Sequence, residues 1–487
     1  MRISSIIPCV RNANGSGHEQ RRQTDGPGKD EVNRMNDFRK TAQEMLEFIR
    51  ISPTCFHAVA NIGRMLEAAG FQQLQEKEEW KLEKGGRYYT ERNDSSVIAF
   101  AIPEKEVGIR GFHMAAAHSD SPCFKIKEKP ELTVEEHYLR LNTEKYGGMI
   151  LSTWLDRPLS IAGRLAVKNG NGIEGRLVNI DRDLCVIPNV AIHMNREMNK
   201  GVEYNPQVDL LPLLADVSFD EYDTHTTYDA QTASENAEEQ TETVEKPTLT
   251  ALAAEAAGVD AETILGEDLF LYTRQEGKMI GAKGEFVLSP RLDDLQSAFA
   301  LTKAFTESTP AEYINLCAVF DNEEVGSGTR QGADSTFLED TLQRITEGLQ
   351  EGHSTYLRWV ADSFLISADN AHAVHPNHPE KADPANRPYL NGGIVIKYHG
   401  SQKYTTDGIS AAKMKDYCKR AKVPYQTYAN RSDIAGGSTL GNISTAHVSV
   451  SSVDIGLPQL AMHSAVETAG MKDTEYAVRA LKEFWGE

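Results

Sequence analysis

Short apolar runs that end directly in residues able to bind metal or move protons constrain this chain more than any other feature. Phe112 to Ala117 is followed by His118 and Asp120, Ile314 to Phe320 by Asp321-Asn322-Glu323-Glu324, and Phe364 to Ala368 by Asp369. Runs this short and mostly apolar suit strands buried on both faces of a sheet. Helical spacing intervenes: Leu295, Phe299, Leu301 and Phe305 mark a helix after Asp293, and further strands are expected at 393–397 and 448–455. Strands alternating with helices imply an α/β fold, a mostly parallel sheet covered by helices. In such sheets sites form beyond the carboxyl ends of strands.

The periodicity divides the chain. Residues 1–34 are polar and rich in Gly, Asn, Gln and Arg, which predicts a disordered leader, with Met35 the natural start. Phe38, Ala42, Met45, Leu46 and Ile49 predict a helix capped by Asn36 or Asp37, and a second helix spans 58–69, stopping at Gly70. Residues 35–122 are expected to form the first part of one α/β domain. Between 123 and 284 the pattern becomes β-rich, with alternating strands at 164–167 and 176–180 around the hairpin signal Asn169-Gly170-Asn171-Gly172. This predicts an inserted domain, within which 220–246 is an acidic, disordered loop. Residues 285–487 are expected to complete the α/β domain begun at 35–122, which would carry the site residues.

At 487 residues, 40% hydrophobic and 25% charged, the chain can bury a large core. Its net charge of -20 argues against nucleic acid and anionic membrane as partners. No apolar run approaches the roughly 20 residues of a membrane span, and Ile6-Ile7 is too short for a signal peptide, so cytoplasmic residence is expected. The six cysteines lack CxxC spacing and read as free thiols.

Adjacent carboxylates at the end of an apolar run, Glu323 and Glu324, would repel one another if buried, unless something positive lay between them. His118, Asp293, Glu324, Asp369 and His463 supply a matching set of ligands, two imidazoles and three carboxylates. Three carboxylates and one hydroxide would neutralise two divalent cations, and mixed nitrogen and oxygen ligation suits Zn2+, with Co2+ or Mn2+ as substitutes. Asp293 is the expected bridge. Glu323, just outside the ligand set, is the expected general base, and Asp120 would orient the His118 ring. A lone His-x-Asp or Glu-Glu is usually a surface or capping feature; the five-part set is not. Cys123 reads as a packed thiol, and Asp294 equally well as a charge favourable to a helix N-terminus.

The strings Phe56-His57-Ala58-Val59, Ala117-His118-Ser119-Asp120-Ser121-Pro122-Cys123, Tyr146-Gly147-Gly148, Ser152-Thr153-Trp154-Leu155-Asp156-Arg157 and Ile187-Pro188-Asn189-Val190-Ala191-Ile192-His193 resemble the aspartyl aminopeptidase family of dinuclear zinc metallopeptidases. So do Pro290-Arg291-Leu292-Asp293-Asp294-Leu295, Asp321-Asn322-Glu323-Glu324-Val325-Gly326-Ser327, Ser367-Ala368-Asp369-Asn370-Ala371-His372 and Pro458-Gln459-Leu460-Ala461-Met462-His463-Ser464. The resemblance runs from about Met35 to the C-terminus. It implies that His118, Asp369 and Asp293 hold one metal, that Glu324, His463 and Asp293 hold the other, and that Glu323 is the base. It further implies that the inserted domain mediates dimerisation, lending His193 to a neighbour's active site, where it would hydrogen-bond the oxyanion of the tetrahedral intermediate, and that dimers build a dodecamer. Lys397, with Tyr404 and His372 nearby, would line the pocket for the substrate's first side chain. Asn189 departs from members that carry a second histidine there.

The expected function is a metallo-aminopeptidase removing N-terminal Asp or Glu from peptides. The alternatives are an aminopeptidase preferring neutral residues, a metallo-deacylase or carboxypeptidase on the same core, and a non-enzymatic shell or cargo protein, against which the non-ligating Glu323 argues.

Overall fold

The computed structural model describes residues 29–104, 108–217, 248–437 and 439–487. The acidic segment 220–246 and residues 1–28 of the expected leader lie outside them.

A nine-stranded sheet organises the catalytic part, in the order Gln72–Gln73, Arg87–Arg92, Ser96–Ala101, Ile314–Phe320, Phe112–His118, Phe364–Ala368, Ser451–Gly456, Ile394–Tyr398, Tyr425–Ala429. Its four central strands, Ile314–Phe320 through Ser451–Gly456, are parallel, and antiparallel pairs flank them. Successive side chains explain the continuous apolar runs. Ala115, Ala117, Cys317 and Val319 face one cluster with helices Lys29–Arg50, Cys55–Ala68, Leu292–Thr306, Gly408–Arg420 and Asp473–Trp485. Met114, Ala116, Leu316 and Ala318 face the other, with Phe337–Gly348, His353–Asp362 and Leu440–His447. Both faces are covered, so apolar side chains dominate them, with a few buried polar residues such as His113, Asn315 and Asp454, and the carboxylates and imidazoles of the candidate ligand set come at or beyond the strand ends.

The first helix begins at Lys29, not after Met35, so residues 29–34, expected in the disordered leader, are helical, and neither Asn36 nor Asp37 caps it. No Gly or Pro interrupts 29–50, so nothing in that stretch opposes a continuous helix. The second helix starts at Cys55, with Thr54 as N-cap.

The inserted region forms an antiparallel six-stranded sheet in the order Gly172–Asn179, Leu159–Asn169, Ile264–Thr273, Cys123–Val134, Tyr138–Tyr146, Leu213–Asp216. Asn169 pairs with Gly172 across the expected hairpin. Phe124, Leu141, Trp154, Ile161 and Leu269 fill its own core. A third, five-stranded sheet was not expected: Lys278–Ile280, Phe286–Ser289, Glu467–Gly470, Pro458–Leu460 and Ala371–His372. Lys278–Ile280, assigned by sequence to the insertion, pairs with Phe286–Ser289 and so with the catalytic part. These strands are short and their partners distant in sequence, which leaves little periodic signal. Among the described residues no helix is long and apolar enough to cross a membrane.

Candidate metal centre

The central strands deliver His118 as the last residue of Phe112–His118, in register with Phe320, and Asp369 immediately after Phe364–Ala368. Glu323 and Glu324 open a short 3-10 turn whose N-cap, Asn322, takes φ +62. Asp293 lies at the start of the Leu292–Thr306 helix, joined to Asp294 by a cis peptide bond. His463, with φ +65, follows the Pro458–Leu460 strand.

These five residues converge. Ligand atoms of His118, Asp293 and Asp369 lie within 4.8 Å of one another, and so do those of Asp293, Glu324 and His463. Asp293 is common to both sets and divides its oxygens between them. Its Oδ1 is 3.6 Å from His118 Nε2, and its Oδ2 is 3.5 Å from His463 Nε2. Glu324 Oε1 is 3.4 Å from His463 Nε2. Asp293 Oδ1 and Glu324 Oε1 are buried and accept no hydrogen bond, a costly state for carboxylate oxygens that a coordinated cation relieves. The donor set therefore fits divalent metal, with one carboxylate placed to bridge.

The electrostatics point the same way. Burial raises Glu324 well above the usual carboxylate range and raises Asp369 too, although Lys397 opposes the latter. Burial, aided by the charges of Asp369, Asp120 and Asp293, pushes Glu323 up to about 7, with His118 opposing. Burial opposes charge on the histidines, yet Asp120 and Asp293 raise His118 well above its ordinary value, and Asp293 and Glu324 raise His463 to about 10. Burial would also raise Asp293, but the His118 and His463 imidazoles hold it below the usual range. Such a cluster retains protons that cations can replace.

Asp120 flanks the His118 ring and also serves a second group. His118 Nδ1 is nearest the Asp120 backbone oxygen, at 3.0 Å, with the carboxylate Oδ1 at 3.4 Å. The carboxylate itself accepts hydrogen bonds from the backbone N–H groups of Glu323 and Glu324, each at 3.2 Å. Asp294 is fully buried, and its Oδ2 accepts a bond from the His118 N–H at 3.3 Å. Cys123 is half-buried, and burial raises its thiol.

A cleft of about 340 Å³ opens beside the ligands, lined by Glu323, His372, Lys397, Tyr404 and Tyr428 among others. Lys397 is 3% exposed, with Nζ 3.6 Å from Asp369 Oδ2 and 5.4 Å from the Tyr404 ring centroid. Burial opposes its charge, but Asp369 and Tyr404 keep it protonated above its ordinary range. His193 is not brought to this site. It lies in an exposed turn of the inserted region near Val190, Ile192 and Met194, 49%, 47% and 82% exposed. Asn189 bonds Asp156 through both its backbone N–H and its side-chain amide.

Sequence reasoning missed Glu467, whose carboxylate accepts the backbone N–H groups of Asp293 at 3.0 Å and His463 at 2.7 Å. Burial raises it to about 8, with Asp293 adding to the shift. A side chain that serves backbone donors leaves no motif; its spacing of four residues from His463 was the only available clue.

Residues 48–485 match the family described as aminopeptidase I zinc metalloprotease (M18). The chain belongs to the M18 family. It is 46% identical over 448 residues to a probable M18 family aminopeptidase 2 of Clostridium novyi (strain NT), covering 92% of this chain and 98% of that one. Among solved structures, a chain of the Ape4 and Nbr1 complex superposes with a TM-score of 0.85 at 36% identity, covering 93% of this chain and 86% of that one. The S. cerevisiae mApe1 dodecamer gives 0.76 at 26% identity, covering 92% and 97%. As an M18 member the chain is a zinc metallo-aminopeptidase, a hydrolase of peptide bonds, and the convergent carboxylates and imidazoles form groups that could hold a metal ion.

Proposed function

We propose that the chain removes N-terminal Asp or Glu from peptides at a centre of two zinc ions, with Glu323 as general base. The observation that carries this reading is the division of Asp293, one oxygen toward His118 and the other toward His463. His118, Asp293 and Asp369 would hold one ion, and Asp293, Glu324 and His463 the other. The ions would supply Lewis acidity to the peptide carbonyl and to water. Glu323 sits in the same cleft, and its ligand atoms lie within 4.8 Å of those of His118 and Glu324. From there it takes a proton from the attacking water and returns it to the leaving amine.

Lys397 supports acidic preference, because a buried ammonium in the cleft wall offers a charge-assisted partner to a substrate carboxylate. One observation favours the second reading, preference for neutral residues: Lys397 is already within 3.6 Å of Asp369. Zinc on Asp369 would draw its negative charge away from the lysine, and the first reading follows from that. The exposed apolar side chains around His193 are those of a surface covered by another subunit. They support a homo-oligomer built from dimers, a dodecamer as in the mApe1 relative, in which His193 reaches a neighbouring cleft. The described cysteines are free thiols, the usage of a reducing compartment, and cytoplasmic residence completes the proposal.

Rates on aspartyl, glutamyl and leucyl peptides and on their N-acetylated forms, with zinc measured in the same sample, test the reading. Fast hydrolysis of acidic free-amine peptides at two zinc ions per chain is expected. Preferred hydrolysis of acetylated substrates would establish a deacylase, and leucyl preference the second reading.

A further inference from the structure

The inserted sheet touches the metal centre through one short segment of its own chain. Tyr146 ends the Tyr138–Tyr146 strand, paired with Cys123, and its ring packs edge-on against Phe270 at 5.6 Å. Its hydroxyl donates to Asp120 Oδ2 at 2.7 Å and accepts from Asn322 Nδ2 at 2.8 Å. Both partners hold the turn that carries the two glutamates. Asp120 accepts the Glu323 and Glu324 N–H groups, and Asn322 is the left-handed residue that starts the turn, its Oδ1 accepting from Thr329 and Gln331. A single phenol thus satisfies one lone pair and one N–H that would otherwise lack a partner beneath the turn.

The next two residues continue the contact. Gly147, at φ +78, passes so close that a Cβ there would lie 3.1 Å from Glu324 Cβ. Gly148 presents its carbonyl oxygen to His463 Nδ1 at 2.6 Å, which fixes the proton on that nitrogen and leaves Nε2, facing Asp293 and Glu324, free to coordinate. Ile150 N–H then donates to the His463 carbonyl at 2.9 Å.

We propose that Tyr146 is a positioning residue for peptide hydrolysis, through which the inserted domain aligns the Glu323–Glu324 turn of its own chain. The proposal rests on Glu323 being the general base. It gives the insertion a role in its own subunit's chemistry, separate from any residue lent to a neighbour. Removing the hydroxyl leaves the ring packing intact but frees Asp120 and Asn322, so the base is misplaced by a fraction of an ångström while the cleft that binds substrate is unchanged.

Tyr146→Phe should lower kcat about 10-fold, within the range that positioning of an acid-base group commands. KM should stay within about 2-fold and zinc content at the wild-type level. Asn322→Gly, which tolerates the positive φ, should reproduce the loss if Tyr146→Phe fails to fold. The double variant should fall little below either single one, because both break the same chain of bonds. A kcat within 2-fold of wild type, full rescue by added zinc, or multiplicative losses in the double variant would each overturn the positioning role and leave the general-base reading standing. Glu323→Gln retaining most of the wild-type rate would overturn the general-base reading, and the positioning role with it.

Discussion

The central strands of the catalytic sheet and the inserted antiparallel sheet handle their functional residues in opposite ways. The first gathers His118, Asp369, Glu323 and Glu324 at the ends of parallel strands, where Asp293 and His463 meet them inside one chain. The second leaves its candidate residue, His193, exposed in a turn among uncovered apolar side chains. A parallel sheet buried on both faces brings strand ends together by its topology alone. In the roles proposed above, a sheet with one solvated face would contribute to a site only by leaning on something else: the rest of its own chain through Tyr146, or another subunit through His193.

That contrast breaks most easily at its strongest point. Asp293→Ala removes the carboxylate shared by both ligand sets, so bound zinc should fall well below two ions per chain, and kcat should drop by at least about 10³-fold. Two ions still bound per chain would show that another residue bridges them. Next in size is His193→Phe, which should keep oligomer and zinc intact while lowering kcat by about 10²-fold, the scale of one lost oxyanion donor. Mixed oligomers with a zinc-site variant should regain activity; if verified mixtures do not, His193 serves its own chain or only packs.

Smaller again is Lys397→Met. It should reduce kcat/KM for aspartyl and glutamyl substrates by about 10- to 100-fold and spare leucyl ones. An equal fall for both classes would mean that the lysine acts by steadying Asp369 at 3.6 Å rather than by reading the substrate.

The last effect leaves the rate untouched and concerns the sheet itself, not the site. His113 is stacked between Tyr313 at 3.7 Å and Phe484 at 4.5 Å, and burial lowers its pKa to about 4, against 6.5 ordinarily, even though the Phe484 carbonyl favours the charged form. Its folded pKa lies below the unfolded one, so the unfolded chain binds the proton first as pH falls. The stability this group contributes is full above about 6.5 and lost between 6.5 and 4, at most about 3 kcal/mol. Wild type should therefore lose stability relative to His113→Phe over that window in denaturant titrations, and parallel curves would contradict the assignment.

The sequence made the catalytic half more legible than the insertion for the same physical reason. In Phe112–His118 and Ile314–Phe320 a polar residue stands out because everything before it is buried on both faces. The Gly172 hairpin was readable from its turn residues. What escaped were roles played through the backbone. Glu467 serves two N–H groups, Gly148 offers a carbonyl, and Asp120 grips the turn of the two glutamates as well as flanking the His118 ring. Backbone donors and acceptors are the same in every residue, so nothing in the sequence marks the partner. The five-stranded sheet escaped likewise, since strands such as Ala371–His372 are too short to show a period.

The central claim, a shared-carboxylate metal centre worked by a base that is not a ligand, is tested most directly by Glu323→Gln, with zinc content and kcat measured on one preparation. The amide keeps the shape of the side chain but cannot accept a proton from water. The account predicts two zinc ions per chain and a kcat lowered by about 10²- to 10⁴-fold. Wild-type zinc with more than half the wild-type kcat would contradict it, and so would a loss of zinc that accounts for the whole loss of rate.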